Sequence, residues 1–261
     1  MIQHRATVKH IKLLARDIWQ AELSAPEIAR CARPGQFINI LPVQDWSAVM
    51  RRPMSIAGIR EDAVRIIFKV VGEGTRLMSG WQSGQEVDII GPLGNWWTDY
   101  DHEYPILMGG GVGLAPILFL HEDLIRQGIR HALVLGARTH SEHFLVHNVG
   151  EARILTTDDG TTGIKGTVLD GVEEVLKTAR PSAVKLFACG PSPMMEAVRV
   201  LAVERKYACD LALEQIMACG FGNCQGCVVE RKHGPKTGPT YRHRFALVCK
   251  DGPIFNAREL A

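Results

Sequence analysis

Residues 104–128 read YPILMGGGVGLAPILFLHEDLIRQG. Tyr104 to Met108 form the continuous apolar run of a strand buried on both faces. Glycines 109, 110, 111 and 113 then make a loop, after which Leu114, Ile117, Leu118, Leu124 and Ile125 recur at helical spacing and Gly128 supplies a stop. A strand, a glycine turn and a helix in that order are one unit of a parallel sheet covered by helices. Backbone amides in such a turn can approach a pyrophosphate, and the helix start carries a partial positive charge. The pattern is G-x-G-x-x-P (Gly111 to Pro116) and not the G-x-G-x-x-G dinucleotide fingerprint. Gly110, Gly111 and Gly113 are therefore candidates for nucleotide contact, beside the plainer reading of a tight turn with no ligand.

The alternation continues downstream. Strands are expected at 131–135, 153–156 and 184–188, with helices at 168–176 and 193–206. The turn Cys189-Gly190-Pro191-Ser192-Pro193-Met194 follows the strand at 184–188. It would share the carboxyl edge of the sheet with the first glycine loop, where doubly wound folds bind ligands. Cys189 and Gly190 join the candidates, although a thiol at a strand end is as often a small buried hydrophobe.

Upstream the rhythm differs. Strand-like segments at 7–14, 36–43, 64–71 and 86–90 are punctuated by Pro34–Gly35, Gly72, Gly74, Gly84 and Gly91, as in an antiparallel barrel or sandwich. Arg51-Arg52-Pro53-Met54-Ser55 precedes a strand, and arginines there can grip phosphate while a serine hydroxyl reaches a ring nitrogen. Lys69-Val70-Val71-Gly72-Glu73-Gly74-Thr75 ends a strand in a small-residue turn whose amides and hydroxyl can meet another phosphate. Each segment alone also reads as solvated surface or a simple turn.

The last stretch is rich in cysteine. Cys219, Cys224 and Cys227 have the spacing C-x4-C-x2-C, and Cys249 is a distant fourth. That is the spacing of a plant-type [2Fe–2S] site, and Gly220, Gly222 and Gly226 let the loop press its amides toward a cluster. The alternatives are a structural zinc, for which a second short C-x2-C knuckle is lacking, and unligated thiols. Cys31, Cys189 and Cys209 complete the seven.

At 261 residues the chain has room for two domains and a small appendage. Hydrophobic residues at 46% and charged residues at 22% are the ordinary mix of a globular protein. A net charge of +2 provides no field that would draw nucleic acid or an anionic membrane, so neither is expected as a partner. No apolar run approaches the roughly 18 residues of a membrane span. MIQHRATVKH lacks the apolar core of a signal peptide, so the expected compartment is the cytoplasm.

RRPMSI at 51–56, KVVGEGT at 69–75, GPLGN at 91–95, GGGVGLAP at 109–116, TTDDGTTGIKG at 156–166, CGPSPMM at 189–195, MACGFGNCQGC at 217–227 and VCKDGPIF at 248–255 together resemble the ferredoxin–NADP reductase superfamily. Within it they are most similar to the electron-transfer subunits of NAD-dependent, type B dihydroorotate dehydrogenases. The resemblance implies an FAD-binding antiparallel β-barrel over 1–98, an NAD-binding α/β domain over 99–209 and a [2Fe–2S] domain over 210–261. It further implies that Arg52, Pro53, Met54, Ser55, Lys69, Val70, Val71, Gly74 and Thr75 contact FAD, with Arg52 on its phosphates. Gly110, Gly111, Gly113, Cys189 and Gly190 would receive NAD, and Cys219, Cys224, Cys227 and Cys249 the cluster. Met54 stands where many of these reductases have a tyrosine stacked on the flavin.

A separate FMN-containing catalytic subunit is implied as partner, in a heterotetramer of two plus two. Electrons would run from it through the cluster and FAD to NAD⁺, in pyrimidine biosynthesis. Two rivals stand beside this: a subunit of a bifurcating ferredoxin–NADP oxidoreductase or sulfhydrogenase, and a zinc-stapled binding protein without redox function. Arg138 would favour NADP if it met a 2′-phosphate, but is more simply a surface arginine. Trp96 and Trp97 are read as flavin cover, partner surface or core.

Overall fold

The computed structural model describes residues 1–43, 50–232 and 240–260, so the expected third segment is described except at 233–239 and 261. Six strands, β1 (Ile2–Ala15), β2 (Ile18–Ser24), β3 (Phe37–Leu41), β4 (Arg52–Arg60), β5 (Ala63–Lys69) and β6 (Glu86–Leu93), close an antiparallel barrel in the order β1-β2-β5-β4-β3-β6. Period-two alternation builds it: Val87, Ile89, Gly91 and Leu93 of β6 are buried while the residues between them are not. Ala6, Val8, Leu23, Ile38, Ile40, Ile56, Val64 and Ile66 fill the interior with Phe68 and Trp81. Two short helices, α1 (Pro26–Ala29) and α2 (Glu73–Ser79), lie in its connections.

The barrel is split at one place. β4 pairs with β3 from Arg52 to Ser55, but joins β5 only from Ile56 onward. Beyond Ile66, β5 keeps only β2 as neighbour, through Ile67, Phe68 and Lys69. Residues 52–55 therefore lie inside a strand and not before one. Pro53 is tolerated because the Ile56 amide donates to Gln36 O at 3.0 Å, which by ladder alternation turns the nitrogens of Pro53 and Ser55 toward the open gap. The 69–75 segment also differs from expectation. It passes from β5 into α2, whose first turn is closed by Thr75 Oγ1 accepting from the amides of Val71 and Gly72.

The second sheet holds β7 (Tyr104–Gly110), β8 (Ala132–Ala137), β9 (Arg153–Thr157), β10 (Ile164–Lys165), β11 (Val184–Cys189), β12 (Ala208–Ala212) and one late strand, in the order β10-β9-β8-β7-β11-β12 and then that strand. Its first six strands run parallel. From β7 the chain works outward to β10, then returns to β11 on the other side. The switch point thus falls between β7 and β11, whose following loops are the two glycine turns. Three helices cover the sheet: α3 (Leu114–Arg126), α4 (Val168–Ala179) and α5 (Ser192–Arg205). Leu114 to Leu120 of α3 are all buried, because the helix is wedged between sheet and barrel, with Phe119 in the barrel core and Ile117 in the sheet core. Among the described residues no helix is long and apolar enough to cross a membrane.

The cysteine tail forms a hairpin of β13 (Val228–Glu230) and β14 (Phe245–Leu247), a turn of helix α6 (Val248–Asp251), and β15 (Ile254–Asn256), which is the late strand and pairs antiparallel with β12. A segment of that size has little core of its own, and here it borrows one: Cys227, Cys249, Val248 and Phe255 join the same buried cluster as Leu186 and Leu211 of the parallel sheet.

Candidate functional site

Two clefts meet at the seam between barrel and sheet. The first, a cavity of about 220 Å³, opens where β4 and β5 part. Pro53, Met54 and Ser55 form one wall and Ile67, Phe68 and Lys69 the other. Val71 and Thr75 close an end, Val112 and Ala115 come from the sheet domain, and Leu213 to Gln215, Met217 and Pro253 come from the cysteine tail. The Ser55 nitrogen faces this gap, so a heterocyclic ring lying there meets a strand edge ready to hydrogen-bond.

The two arginines of the 51–52 pair separate. Arg51 is spent on the barrel, 2.7 Å from Asp88 with a further bond to Asp88 O, whereas Arg52, among the described residues, donates only to the carbonyls of Met50 and Arg51. Its guanidinium lies against Gly74, where a Cβ would fall 2.4 Å from Arg52 Nε. Arg52 and the start of α2 thus sit together as a cationic corner beside the cleft, though neither Arg52, Val70 nor Gly74 is part of the cleft wall. The Thr75 hydroxyl donates to Gly72 O at 3.0 Å, which leaves backbone amides as the donors there.

The second cleft, about 580 Å³, lies at the carboxyl edge of β7, β8 and β9. Gly110, Gly111 and Val112 line it, with Gly136, Thr156 and Asp158 across the sheet and Pro191 and Met194 from the second turn. Gly111 has φ +55 and open space where a Cβ would stand, the cradle a phosphate needs. Gly113 and Gly190 do not line the cleft but make the loop possible: a Cβ on Gly113 would fall 2.5 Å from the carbonyl of Cys189. Cys189 itself is 2% exposed and borders neither cleft; burial, with Glu214 nearby, pushes its thiol well up. Glu214 is open along the first cleft yet walled by protein, and that desolvation raises its carboxyl.

Lys69 and Val112 belong to both clefts, so a ring in one and a ring in the other meet there. Arg138 lines the second cleft with its guanidinium 2.6 Å from Glu142, which also accepts from Lys69 at 2.8 Å. Trp97 is core, edge-on to Phe187, and Trp96 lies under Arg33; neither borders a cleft.

Among the described residues no group of three or more His, Cys, Asp or Glu side chains is arranged to hold a metal ion. Amide-to-sulfur bonds link the candidate cysteines in pairs: Cys224 N donates to Cys219 Sγ and Cys249 N to Cys227 Sγ, each at 3.4 Å. Burial pushes the Cys219 thiol up, but backbone donors from Cys224, Phe221 and Asn223 outweigh it and hold it at about 6. Burial and the neighbouring sulfur of Cys227 push Cys249 up to about 12. Thiols so perturbed, beside a loop whose Gly220 and Gly222 take φ +81 and +89, are a donor set suited to a thiophilic cationic centre.

What the residues by themselves did not announce is how the tail enters the first cleft. Leu213 to Gln215 lie outside every motif, while Met217 and Pro253 stand inside the stretches at 217–227 and 248–255 without marking a cleft wall themselves. Phe37 was likewise silent, and Val112, inside the glycine loop at 109–116, was not singled out.

The family model for the iron–sulfur cluster binding domain of dihydroorotate dehydrogenase B matches residues 214–261. The chain is 32% identical over 265 residues to the dihydroorotate dehydrogenase B (NAD(+)) electron transfer subunit of Fusobacterium nucleatum, covering 97% of this chain and 96% of that protein. It is 34% identical over 269 residues to the protein of the same name from Enterococcus faecalis, covering 99% and 98%. A solved structure described as giving insights into flavin-based electron bifurcation via the NADH-dependent reduced ferredoxin-NADP oxidoreductase superposes with a TM-score of 0.84 at 28% identity, over 99% of this chain and 90% of that one. A ferredoxin NADP⁺ reductase from Neisseria gonorrhoeae shares the fold at 14% identity, with a TM-score of 0.65 over 77% and 91%. The two curated relatives cover nearly the whole chain, and with the iron–sulfur family model they leave no support for the zinc-stapled alternative. A split barrel, a parallel sheet with its switch point at two glycine turns and a cysteine tail folded between them are thus a shared inheritance, and the chain belongs to the family of dihydroorotate dehydrogenase B (NAD(+)) electron transfer subunits.

Proposed function

We propose that this chain is the electron-transfer subunit of an NAD-dependent dihydroorotate dehydrogenase, holding FAD in the first cleft, NAD in the second and a [2Fe–2S] cluster on Cys219, Cys224, Cys227 and Cys249. A bound flavin exchanges hydride with nicotinamide and single electrons with an iron–sulfur centre, a conversion neither of those groups performs on the other. The observation that carries the reading is the position of Met217. It walls the first cleft, and two residues later Cys219 opens the cluster loop.

The chain's own residues divide the work. Arg52, with the amides of Gly74 and Thr75, binds the flavin pyrophosphate, while Ser55 orients the ring, Pro53, Met54 and Val71 screen it from water, and Val70 joins that wall to the start of α2. Gly110 and Gly111 cradle the nicotinamide dinucleotide, backed by Gly113, Cys189 and Gly190. Cys189, kept neutral by burial, places no charge behind the nicotinamide. Lys69 and Val112 hold the two rings at the shared boundary. The working units are 1–98, 99–209 and 210–261. The partner is a catalytic subunit that oxidises dihydroorotate on FMN, in a two-plus-two heterotetramer, and the compartment is a reducing cytoplasm that keeps the cysteines out of disulfides.

A second reading, a subunit of a bifurcating ferredoxin–NADP oxidoreductase, draws on the superposition at TM-score 0.84. Anaerobic co-expression with the FMN subunit separates them. The first reading expects dihydroorotate-dependent NADH formation by the co-purified complex. NADH turnover that requires ferredoxin and ignores dihydroorotate supports the second, and a chain without flavin and iron contradicts both.

A further inference from the structure

Asn39 is a fully buried amide on a barrel strand whose neighbours are Phe37, Ile38 and Ile40. Its Nδ2 donates to Ala218 O at 3.3 Å and to Cys219 O at 3.1 Å. The orientation is fixed, because turning the amide would set Oδ1 against two carbonyl oxygens. Gly220, at φ +81, lies directly on it; a Cβ there would fall 2.8 Å from Nδ2. Asn39 Oδ1 is buried with no donor among the described residues. A leucine of similar volume would avoid burying that acceptor but would leave the Ala218 and Cys219 carbonyls without this donor, so what the asparagine supplies is the tie to the tail. In the ladder Asn39 stands opposite Pro53, a wall of the first cleft.

Asn95, just past β6, treats the other arm of the tail in the same way. Its Nδ2 donates to Asp251 O at 3.2 Å and Ile254 O at 2.9 Å, its Oδ1 accepts from Ile254 N at 2.9 Å, and its own amide donates to Gly252 O at 2.7 Å. The held segment begins two residues after Cys249 and includes Pro253, another wall of the first cleft. Each arm that carries a cluster cysteine is therefore tied to the barrel by one asparagine, next to the residues that line the cleft.

We infer that Asn39 and Asn95 are positioning residues for electron transfer: they pin the cysteine module to the barrel, so that the separation of cluster and flavin is set by the barrel wall and not by a swinging domain. The inference rests on the cofactor assignment under Proposed function. It makes the module a fixed relay, with no docking step between cluster and flavin inside this chain.

The test uses the intact, cofactor-loaded chain with NADH as the reductant. NADH delivers a hydride, hence two electrons, to the flavin, and each cluster accepts one of them. Asn39→Leu and Asn95→Leu remove the ties while keeping volume, and Ile40→Val thins the same strand without touching the module. With iron content retained, rapid-freeze spectra of the cluster should show its reduction slowed about tenfold in both asparagine variants relative to Ile40→Val, because small misplacements of reacting groups are costly. Equal rates in all three, at matched loss of stability, overturn the inference. Hydrogen exchange on the unmutated loaded chain is independent of variant folding. The amides of 217–227 and 248–256 are expected to exchange as slowly as those of β3 and β6, and fast exchange of the module as a unit overturns the proposal. An unmutated chain that binds no flavin or iron sinks the cofactor reading instead, a distinguishable failure.

Discussion

Lys69 Nζ lies 2.8 Å from Glu142 Oε1, joining the last residue of a barrel strand to the turn that follows β8 in the parallel sheet. Glu142 also holds Arg138, so one carboxylate stands between two cations at the boundary of the two clefts. The Arg138 guanidinium, opposed by burial and helped by Lys69, holds that carboxyl down at about 2 from an ordinary 4.5. A depressed carboxylate contributes stability above its unfolded value and loses it as pH falls through its folded value, here between 4.5 and about 2. Arg138 is 75% exposed and its share is screened, so Glu142→Gln should cost about 1–2 kcal/mol at pH 7. The cost should vanish near pH 2. Urea midpoints at both pH values check this, and an equal cost at both contradicts the pairing.

Gly113 offers a steric test of the nucleotide loop. Gly113→Ala places a methyl 2.5 Å from the Cys189 carbonyl, where backbone meets backbone and neither yields. A loss of about 1–3 kcal/mol is expected, with a raised KM for NAD and little change in flavin content. A variant with unchanged KM would show that this loop does not carry the dinucleotide.

Arg52 separates phosphate binding from barrel folding. It has no carboxylate partner among the described residues, unlike Arg51 with Asp88. Arg52→Ala should leave thermal unfolding of the flavin-free chain within about 0.5 kcal/mol and weaken FAD binding by about 1.5–3 kcal/mol. Arg51→Ala should do the reverse. Equilibrium dialysis against FAD and calorimetry of the stripped chain read the two effects, and a swap of phenotypes contradicts the assignment.

His121 and His131 form a pair on the far side of α3, with Nδ1 of the first 2.7 Å from Nε2 of the second. Burial, with His131 alongside, lowers His121 to about 4 from 6.5, and burial lowers His131 as well. Stability from keeping them neutral is present above 6.5 and lost as pH falls toward 4. The protein should lose about 1–2 kcal/mol between pH 7 and pH 5, before most carboxylates titrate. His121→Leu should flatten that slope, and an unchanged slope rejects the pair as its source.

Much of this was legible in residue order. The run from Tyr104 to Gly128 gave strand, loop and helix nearly as they stand, and short strands punctuated by Gly35, Gly72, Gly84 and Gly91 pointed to a barrel or sandwich. β4 was placed late because Pro53 reads as a breaker, and only the parting of β4 from β5 makes it harmless. Glu73–Ser79 read as a turn because Gly72 and Gly74 mask a short helix that Thr75 caps. The site followed the same division. Cysteine spacing marks the tail, but that Leu213 to Gln215 and Met217 wall the first cleft is a tertiary fact, since Leu, Gln and Met there carry no local signal. Asn39 is the sharpest case: an asparagine amid apolar strand residues looks like an irregularity until the carbonyl of Cys219 arrives 180 positions later.

If this chain relays electrons from cluster to NAD⁺ through flavin, the same hops run in reverse when NADH is the reductant. Anaerobic mixing of the loaded chain with NADH, followed by rapid freezing and electron paramagnetic resonance, tests the relay most directly. Bleaching of the flavin is expected first, then a signal from the reduced cluster that grows as the flavin gives up one of its two electrons and that is lost with iron in Cys224→Ser. Bleaching of the flavin while the cluster stays oxidised at every time point, in a chain with full iron content, would contradict it.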